Sequence, residues 1–217
     1  MSRIAAVVTL DVGFARRWVS ALAGAIEENC DALTRLDAAI GDADHGINML
    51  RGMNAAVALL DSDSSPDEPA QILEMVGNRL VAVVGGAAGP LYGSAFRAMA
   101  AATAGKTALT PEDLIEALAA GLESIQRMGA AVPGDKTIVD SWWPAVRALR
   151  ERSHTSLLAG LTAAEAAARE GMASTIPMRA RKGRASYLGW RSEGHQDPGA
   201  TSAHLVFSTL LTSATDQ

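Results

Sequence analysis

The stretch Thr110–Gly129, TPEDLIEALAAGLESIQRMG, reads as a complete amphipathic helix. Thr110 stands at the N-cap, Pro111 at the first helical position, and Asp113 in the first turn, where the helix dipole favours an acid. Leu114, Leu118, Leu122 and Ile125 then recur at helical spacing and share one face. The same period holds outward in both directions. Phe14, Trp18, Leu22 and Ile26 mark a first helix, and Leu33 and Leu36 a second piece ending near Gly41. Ile47 to Leu60 follows, closed by the polar loop DSDSSPDEP, and then residues 70–84 carry Ile72, Met75, Val76 and Leu80. SAFRAMAAATAG stops at Gly105; Thr137 to Arg150 carries Trp142, Trp143 and an internal Pro144; SLLAGLTAAEAAAREGM and TSAHLVFSTLLTS complete the series. Alternating strand patterns never persist. The expectation is an all-α, single-domain antiparallel bundle of about eight helices, spanning residues 1–217.

Composition agrees with a globular chain: 217 residues, 48% hydrophobic and 20% charged. Aromatics are only 4%, so Ala, Leu, Val, Ile and Met must supply most of the core. A net charge of -5 argues against binding nucleic acid or an anionic membrane. Cys30 is the sole cysteine, which excludes an intrachain disulfide and a cysteine-based zinc site. The N-terminal MSRIAAVVTLDVGF lacks a small-residue cleavage pattern, and the apolar runs elsewhere are glycine-interrupted and short for a membrane span. The chain reads as a cytoplasmic protein.

Four Gly-rich polar segments interrupt the helices: 41–46, 85–93, 129–136 and 178–200. Loops joining the same end of an up-and-down bundle converge, so these four are expected to build one site. Asp37, Asp42 and Asp44 place three carboxylates within eight residues, an arrangement that calls for a cation. Mg²⁺ takes one or two carboxylates plus water and substrate phosphate, the open coordination a nucleotide site needs. An EF-hand fits poorly, because its closing Glu position falls on Met53. Gly46 opens a helix whose free N–H groups favour a phosphate. Four glycines between Gly85 and Gly93 allow close backbone approach, although Gly/Ala runs also serve tight helix packing. Asp135, Lys136 and Thr137 sit at a helix start, where capping is the commoner role. Arg179, Arg181, Lys182, Arg184 and Arg191 concentrate basic charge in a segment without evident secondary structure, suited to a polyphosphate. His45 and His195 read as ordinary loop histidines.

GDADHGINMLRG, VGGAAGPLYG, PGDKTIVDSWWP and ARKGRASYLGWRSEGHQDPGATS, in this order, resemble the motifs of the nucleotide-binding L subunits of bacterial dihydroxyacetone kinases. The resemblance covers nearly the whole chain. It implies an eight-helix antiparallel barrel with nucleotide and Mg²⁺ in the loops at one end. It assigns the metal to Asp37, Asp42 and Asp44. It assigns ADP or ATP to His45, Gly46, Ile47 and Asn48, to Ala87 and Ala88, to Gly129, to Ile138 as a wall for the base, to Arg184, and to the Asp197-Pro198-Gly199 turn. Arg184 is the candidate catalytic group, stabilising the transferring charge. Ala88 stands where the family commonly has Ser, so a backbone N–H contact to phosphate remains and a hydroxyl contact is lost.

The implied activity is phosphoryl transfer to dihydroxyacetone or another small ketose held on a separate K subunit, the chain being an incomplete kinase alone. In one mode ADP is a resident cofactor recharged by a phosphocarrier M subunit; in the other, ATP exchanges at each turnover. A regulatory, nucleotide-sensing helical protein without turnover is the alternative, and a homodimer remains open.

Overall fold

Local capping sets the helix boundaries. In this computed structural model, which describes residues 8–62 and 65–215, eight α-helices account for most of the chain. The N-terminal seven residues, on which part of the no-leader expectation rests, and residues 63–64 of the polar loop lie outside the described residues. Helix α1, Val12–Ile40, starts at Asp11, whose carboxylate accepts the Phe14 N–H at 2.9 Å. It runs unbroken through the two pieces that the sequence suggested. No Gly or Pro interrupts residues 27–32, and Glu27, Glu28 and Asp31 face solvent without ending the helix. Helix α2 is His45–Ser62, α3 Pro69–Val83 and α4 Ala88–Thr103. Helix α5, Pro111–Gly129, begins with a reciprocal capping box: Asp113 N–H to Thr110 Oγ1 at 3.2 Å, and Thr110 N–H to Asp113 Oδ2 at 2.9 Å.

Helix α6, Ile138–Arg152, repeats that device with Thr137 and Asp140 and continues through Pro144. The proline cannot donate to the Asp140 carbonyl, and Gly171 of α7, Leu157–Ser174, packs against that same carbonyl. Helix α8 is Pro198–Thr215. The segment expected to lack secondary structure contains a short 3-10 stretch, Arg184–Ser192, broken at Gly189, whose φ is 57°.

Each helix packs on its successor, and α8 returns to α1, so the row of helices closes into a ring. The interior is rich in Ala and Leu as the composition requires, but its centre is aromatic. Trp18 and Phe96 lie 6.0 Å apart, and Trp142 meets Phe207 edge-on at 5.4 Å. Each buried indole donates to a carbonyl of another helix: Trp18 to Val206 at 3.2 Å and Trp142 to Leu118 at 3.0 Å. Helices α1 and α2 approach closely because position 46 is glycine; a Cβ there would lie 2.1 Å from the Cys30 carbonyl oxygen.

The connections alternate between ends. At one end β1, Leu10–Asp11, pairs antiparallel with β2, Ala108–Leu109, and Gly105 N–H reaches Glu68 at 2.9 Å. Residues 41–44, 84–87, 130–137 and 175–197 gather at the other end. Among the described residues, no helix is long and apolar enough to cross a membrane.

Candidate functional site

Asp37 occupies the last turn of α1, where the chain must reverse into α2. Gly41 closes α1 by donating to the Asp37 carbonyl at 2.5 Å, and a Cβ on Gly41 would sit 2.0 Å from Asp37 Oδ1. The Asp37 carboxylate then accepts the N–H groups of Asp44 at 2.8 Å and His45 at 3.2 Å. A side chain of one helix therefore satisfies the free donors of the next. Ala43 takes a left-handed φ of 61° to complete the turn. This compact reversal brings one carboxylate oxygen from each of Asp37, Asp42 and Asp44 within 4.8 Å of one another. Three hard anionic oxygens so placed fit a small divalent cation with coordination positions left over, as Mg²⁺ takes. Asp37 is buried and Asp42 exposed, and Arg184 meets Asp42 Oδ2 at 2.9 Å.

The carboxylates stand on one wall of a cavity of about 380 Å³ to which all four loops contribute. From α2 come His45 and Asn48, and Asn48 accepts from Arg51 at 2.8 Å. Gly46 and Ile47 do not face it: Gly46 is pressed against α1, and Ile47 is 55% exposed. The glycine-rich segment divides its labour. Gly85, Gly86, Ala87 and Ala88 line the cavity, whereas Gly89 and Gly93 pack against the backbone of α3 and the residues just after it. Gly129, Ile138, Asp197, Pro198 and Gly199 also line it, joined by Leu91, which the sequence did not single out, and by Ile125, which it marked only as part of the apolar face of α5. Of the basic cluster, only Lys182 and Arg184 reach the wall; Arg179 pairs with Glu193 at 2.8 Å.

Lys136 is the residue whose role was least visible in the sequence. It is almost fully buried, and its ammonium donates to the carbonyls of Thr175 at 2.8 Å, Met178 at 3.1 Å and His195. Both ends of the long α7–α8 loop are thus pinned to the start of α6. The Arg181 N–H to the Asp135 carbonyl, at 3.1 Å, and the Asp197 N–H to Thr175 Oγ1, at 3.0 Å, complete the attachment. Burial lowers the Lys136 pKa from its ordinary value. Asp197 caps α8 through the Ala200 N–H at 2.7 Å, yet burial, with Asp140 and Asp37 nearby, pushes its pKa up to about 7. Burial also lowers the His45 pKa, against the pull of Asp37 and Asp44.

A helical ring with an acidic metal-type cluster, helix starts and an arginine around one cavity defines a class of nucleotide-handling helical domain. The DAK2 domain model matches residues 39–212, and the chain belongs to that family. It is 43% identical to the Escherichia coli K12 protein named PEP-dependent dihydroxyacetone kinase, ADP-binding subunit DhaL, with 91% of this chain and 94% of that one covered. Its identity to the Lactococcus lactis PTS-dependent dihydroxyacetone kinase, ADP-binding subunit DhaL, is 41%, covering 89% and 93%. Among solved structures it is similar to the dihydroxyacetone kinase of C. freundii in complex with AMP-PNP and Mg²⁺, at 26% identity and a TM-score of 0.70. That match takes in 98% of this chain and 36% of the other.

Proposed function

We propose that this chain is the Mg–nucleotide-holding subunit of a small-ketose kinase, acting as a single nucleotide-binding domain in the cytoplasm and passing a phosphoryl group to dihydroxyacetone on a separate K subunit. The observation that carries this reading is the convergence of Asp37, Asp42, Asp44 and Arg184 with the starts of α2, α4, α6 and α8 around one cavity. The names of the relatives support ADP as a resident cofactor recharged by a phosphocarrier subunit, rather than ATP exchanging at each turnover.

Asp37, Asp42 and Asp44 would hold Mg²⁺, which when bound neutralises phosphate charge. The rest is positioning by the chain itself. The α4 start offers N–H groups to phosphate oxygens, with Ala87 and Ala88 supplying backbone only, while the α2 start presents the side chains of His45 and Asn48. Ile138 and Ile125 give the base an apolar wall. The Asp197-Pro198-Gly199 turn closes the cavity above Ile138, whose N–H lies 3.5 Å from where a Gly199 Cβ would be. Arg184 is placed to follow negative charge from carboxylate to phosphoryl oxygen, since its planar fork matches either. Tyr187, 87% exposed, and Trp190, 69% exposed, stand on the same 3-10 segment as Arg184 and form the face on which the K subunit docks.

The test begins with the chain purified without added nucleotide, denatured, and its released small molecules separated by chromatography. Near-stoichiometric ADP is the expected result. Phosphoryl transfer is then followed with the K and phosphocarrier subunits added. A chain that carries no ADP and takes up neither ADP nor ATP with Mg²⁺ present overturns the reading. Nucleotide binding with no transfer to any ketose would leave the regulatory alternative.

A further inference from the structure

Two of the sequence motifs contain, at or next to their ends, residues to which the nucleotide reading gives no role: Tyr92 in VGGAAGPLYG and Ser202 in GHQDPGATS. Both are buried, on α4 and α8; Tyr92 lines the inner part of the cavity and Ser202 stands behind it. Tyr92 OH lies 2.7 Å from Ser202 Oγ, which lies 2.9 Å from His45 Nε2 and 3.1 Å from the Gly199 carbonyl oxygen. A three-member chain therefore runs from the barrel interior to a histidine that lines the cavity.

Proton bookkeeping fixes its direction. Burial raises the Tyr92 pKa, so the phenol keeps its proton. That proton goes to Ser202 Oγ, because the other acceptor, the Gly199 carbonyl, is 3.5 Å away. Ser202 has a single proton for its two remaining neighbours. If it donates to His45, the 3.1 Å contact with the Gly199 carbonyl sets two oxygens together with no hydrogen between them. If it donates to that carbonyl, His45 Nε2–H donates to Ser202, and every one of the three short contacts is a hydrogen bond. We propose that Tyr92 and Ser202 are positioning residues that select the Nε2–H tautomer of His45 whenever its ring is neutral, so that the ring then offers the Nδ1 lone pair, and not a proton, to a donor group of the ligand in the cavity. This rests on the nucleotide reading of that cavity and adds a selectivity to it. The imidazole is set to recognise a hydroxyl, an amine or bound water, and is mismatched to a bare phosphate oxygen.

The first experiment reads the tautomer with no ligand present. The full chain is labelled with ¹⁵N-histidine, its four histidines are assigned with the help of His45→Gln, and spectra are taken where the rings are neutral. A protonated Nε2 with a bare Nδ1 at His45 is expected; the reverse pattern, or an average of the two, overturns the proposal. Tyr92→Phe and Ser202→Ala should each shift His45 toward a mixture and weaken Mg–ADP binding about fivefold, the loss of roughly one hydrogen bond. In a His45→Ala background the Tyr92→Phe effect should vanish. An equal loss in both backgrounds would mean that Tyr92 acts through packing, and the proposal fails. If no form of the chain binds ADP, the nucleotide reading falls separately, and the wild-type spectrum still upholds or overturns the tautomer.

Discussion

Replacing Arg184 with alanine should move two affinities in opposite directions. Arg184 Nη2 lies 2.9 Å from Asp42 Oδ2, with the side chains 67% and 36% exposed. Two unit charges at about 4 Å are worth roughly 1 kcal/mol in water and about 4 kcal/mol at a protein-surface dielectric. Exposure and ionic screening cut such pairs to about 0.2–1 kcal/mol when measured. Arg184 competes with a cation for Asp42, so its removal should tighten divalent-cation binding by the chain alone, about two- to fivefold at the upper part of that range. The same substitution deletes a charge-assisted contact to phosphate, worth about 1.5–3 kcal/mol, and should weaken Mg–ADP binding about tenfold or more.

The cation arm is read with Mn²⁺ by electron paramagnetic resonance without nucleotide, and the nucleotide arm by calorimetry. Arg179→Ala, which breaks a pair with Glu193 away from the cavity wall, serves as the control and should move neither. Raising ionic strength should shrink the cation effect. Unchanged or weaker Mn²⁺ binding in Arg184→Ala refutes the competition, and unchanged Mg–ADP binding removes Arg184 from the phosphate.

Gly46→Ala should destabilise the fold by about 2 kcal/mol, a Tm drop of roughly 4–8 °C by calorimetry, because the new Cβ must displace α2 from the Cys30 carbonyl; an unchanged Tm would contradict the close helix approach. Asp197 holds its proton in the folded chain up to about pH 7 but ionises near 3.8 when unfolded, so its contribution to stability is complete below about pH 4 and is lost as pH rises to about 7. Asp197→Asn keeps a capping oxygen and removes this titration. Denaturation midpoints should therefore show wild type losing ground to the variant across that window and not beyond it; parallel curves would refute the raised pKa. Tyr187→Ala with Trp190→Ala should leave Mg–ADP affinity unaltered while cutting K-subunit-dependent turnover, and full turnover would move the docking face elsewhere.

Helix identity was legible because it is local. The Thr110–Asp113 box, the Leu114–Ile125 face and Thr137 before α6 are all written within one or two turns. Ring closure was not legible from local pattern and entered only through the family resemblance, since the contact of α8 with α1 depends on residues nearly the whole chain apart. The break expected between Ile26 and Leu33 reflects a run of polar residues that face solvent without ending the helix. At the site, the acidic spacing and the glycine segments pointed to the loops that do converge, though spacing could not divide cavity glycines from packing glycines. The run His45–Asn48 is instructive. In a helix, positions three apart share a face, so His45 and Asn48 line the cavity while Gly46 turns to α1 and Ile47 to solvent. Lys136 was hidden because its partners are carbonyls, and a backbone acceptor leaves no mark in the residue alphabet.

The even number of antiparallel helices has an electrical consequence. At the end of the ring that holds the cavity, the closing turns of α1, α3, α5 and α7 alternate with the opening turns of α2, α4, α6 and α8. Each closing turn carries about half a negative charge and each opening turn about half a positive one. The helix ends therefore form a ring of alternating poles, with little net charge among themselves and strong local contrast. From the helix ends alone a simple anion meets as much repulsion as attraction, while a cation finds the carboxylates of Asp37, Asp42 and Asp44. A ligand that itself alternates, cation beside polyanion in fixed register, can match the ring pole for pole, so selection at this mouth falls on charge pattern more than on total charge.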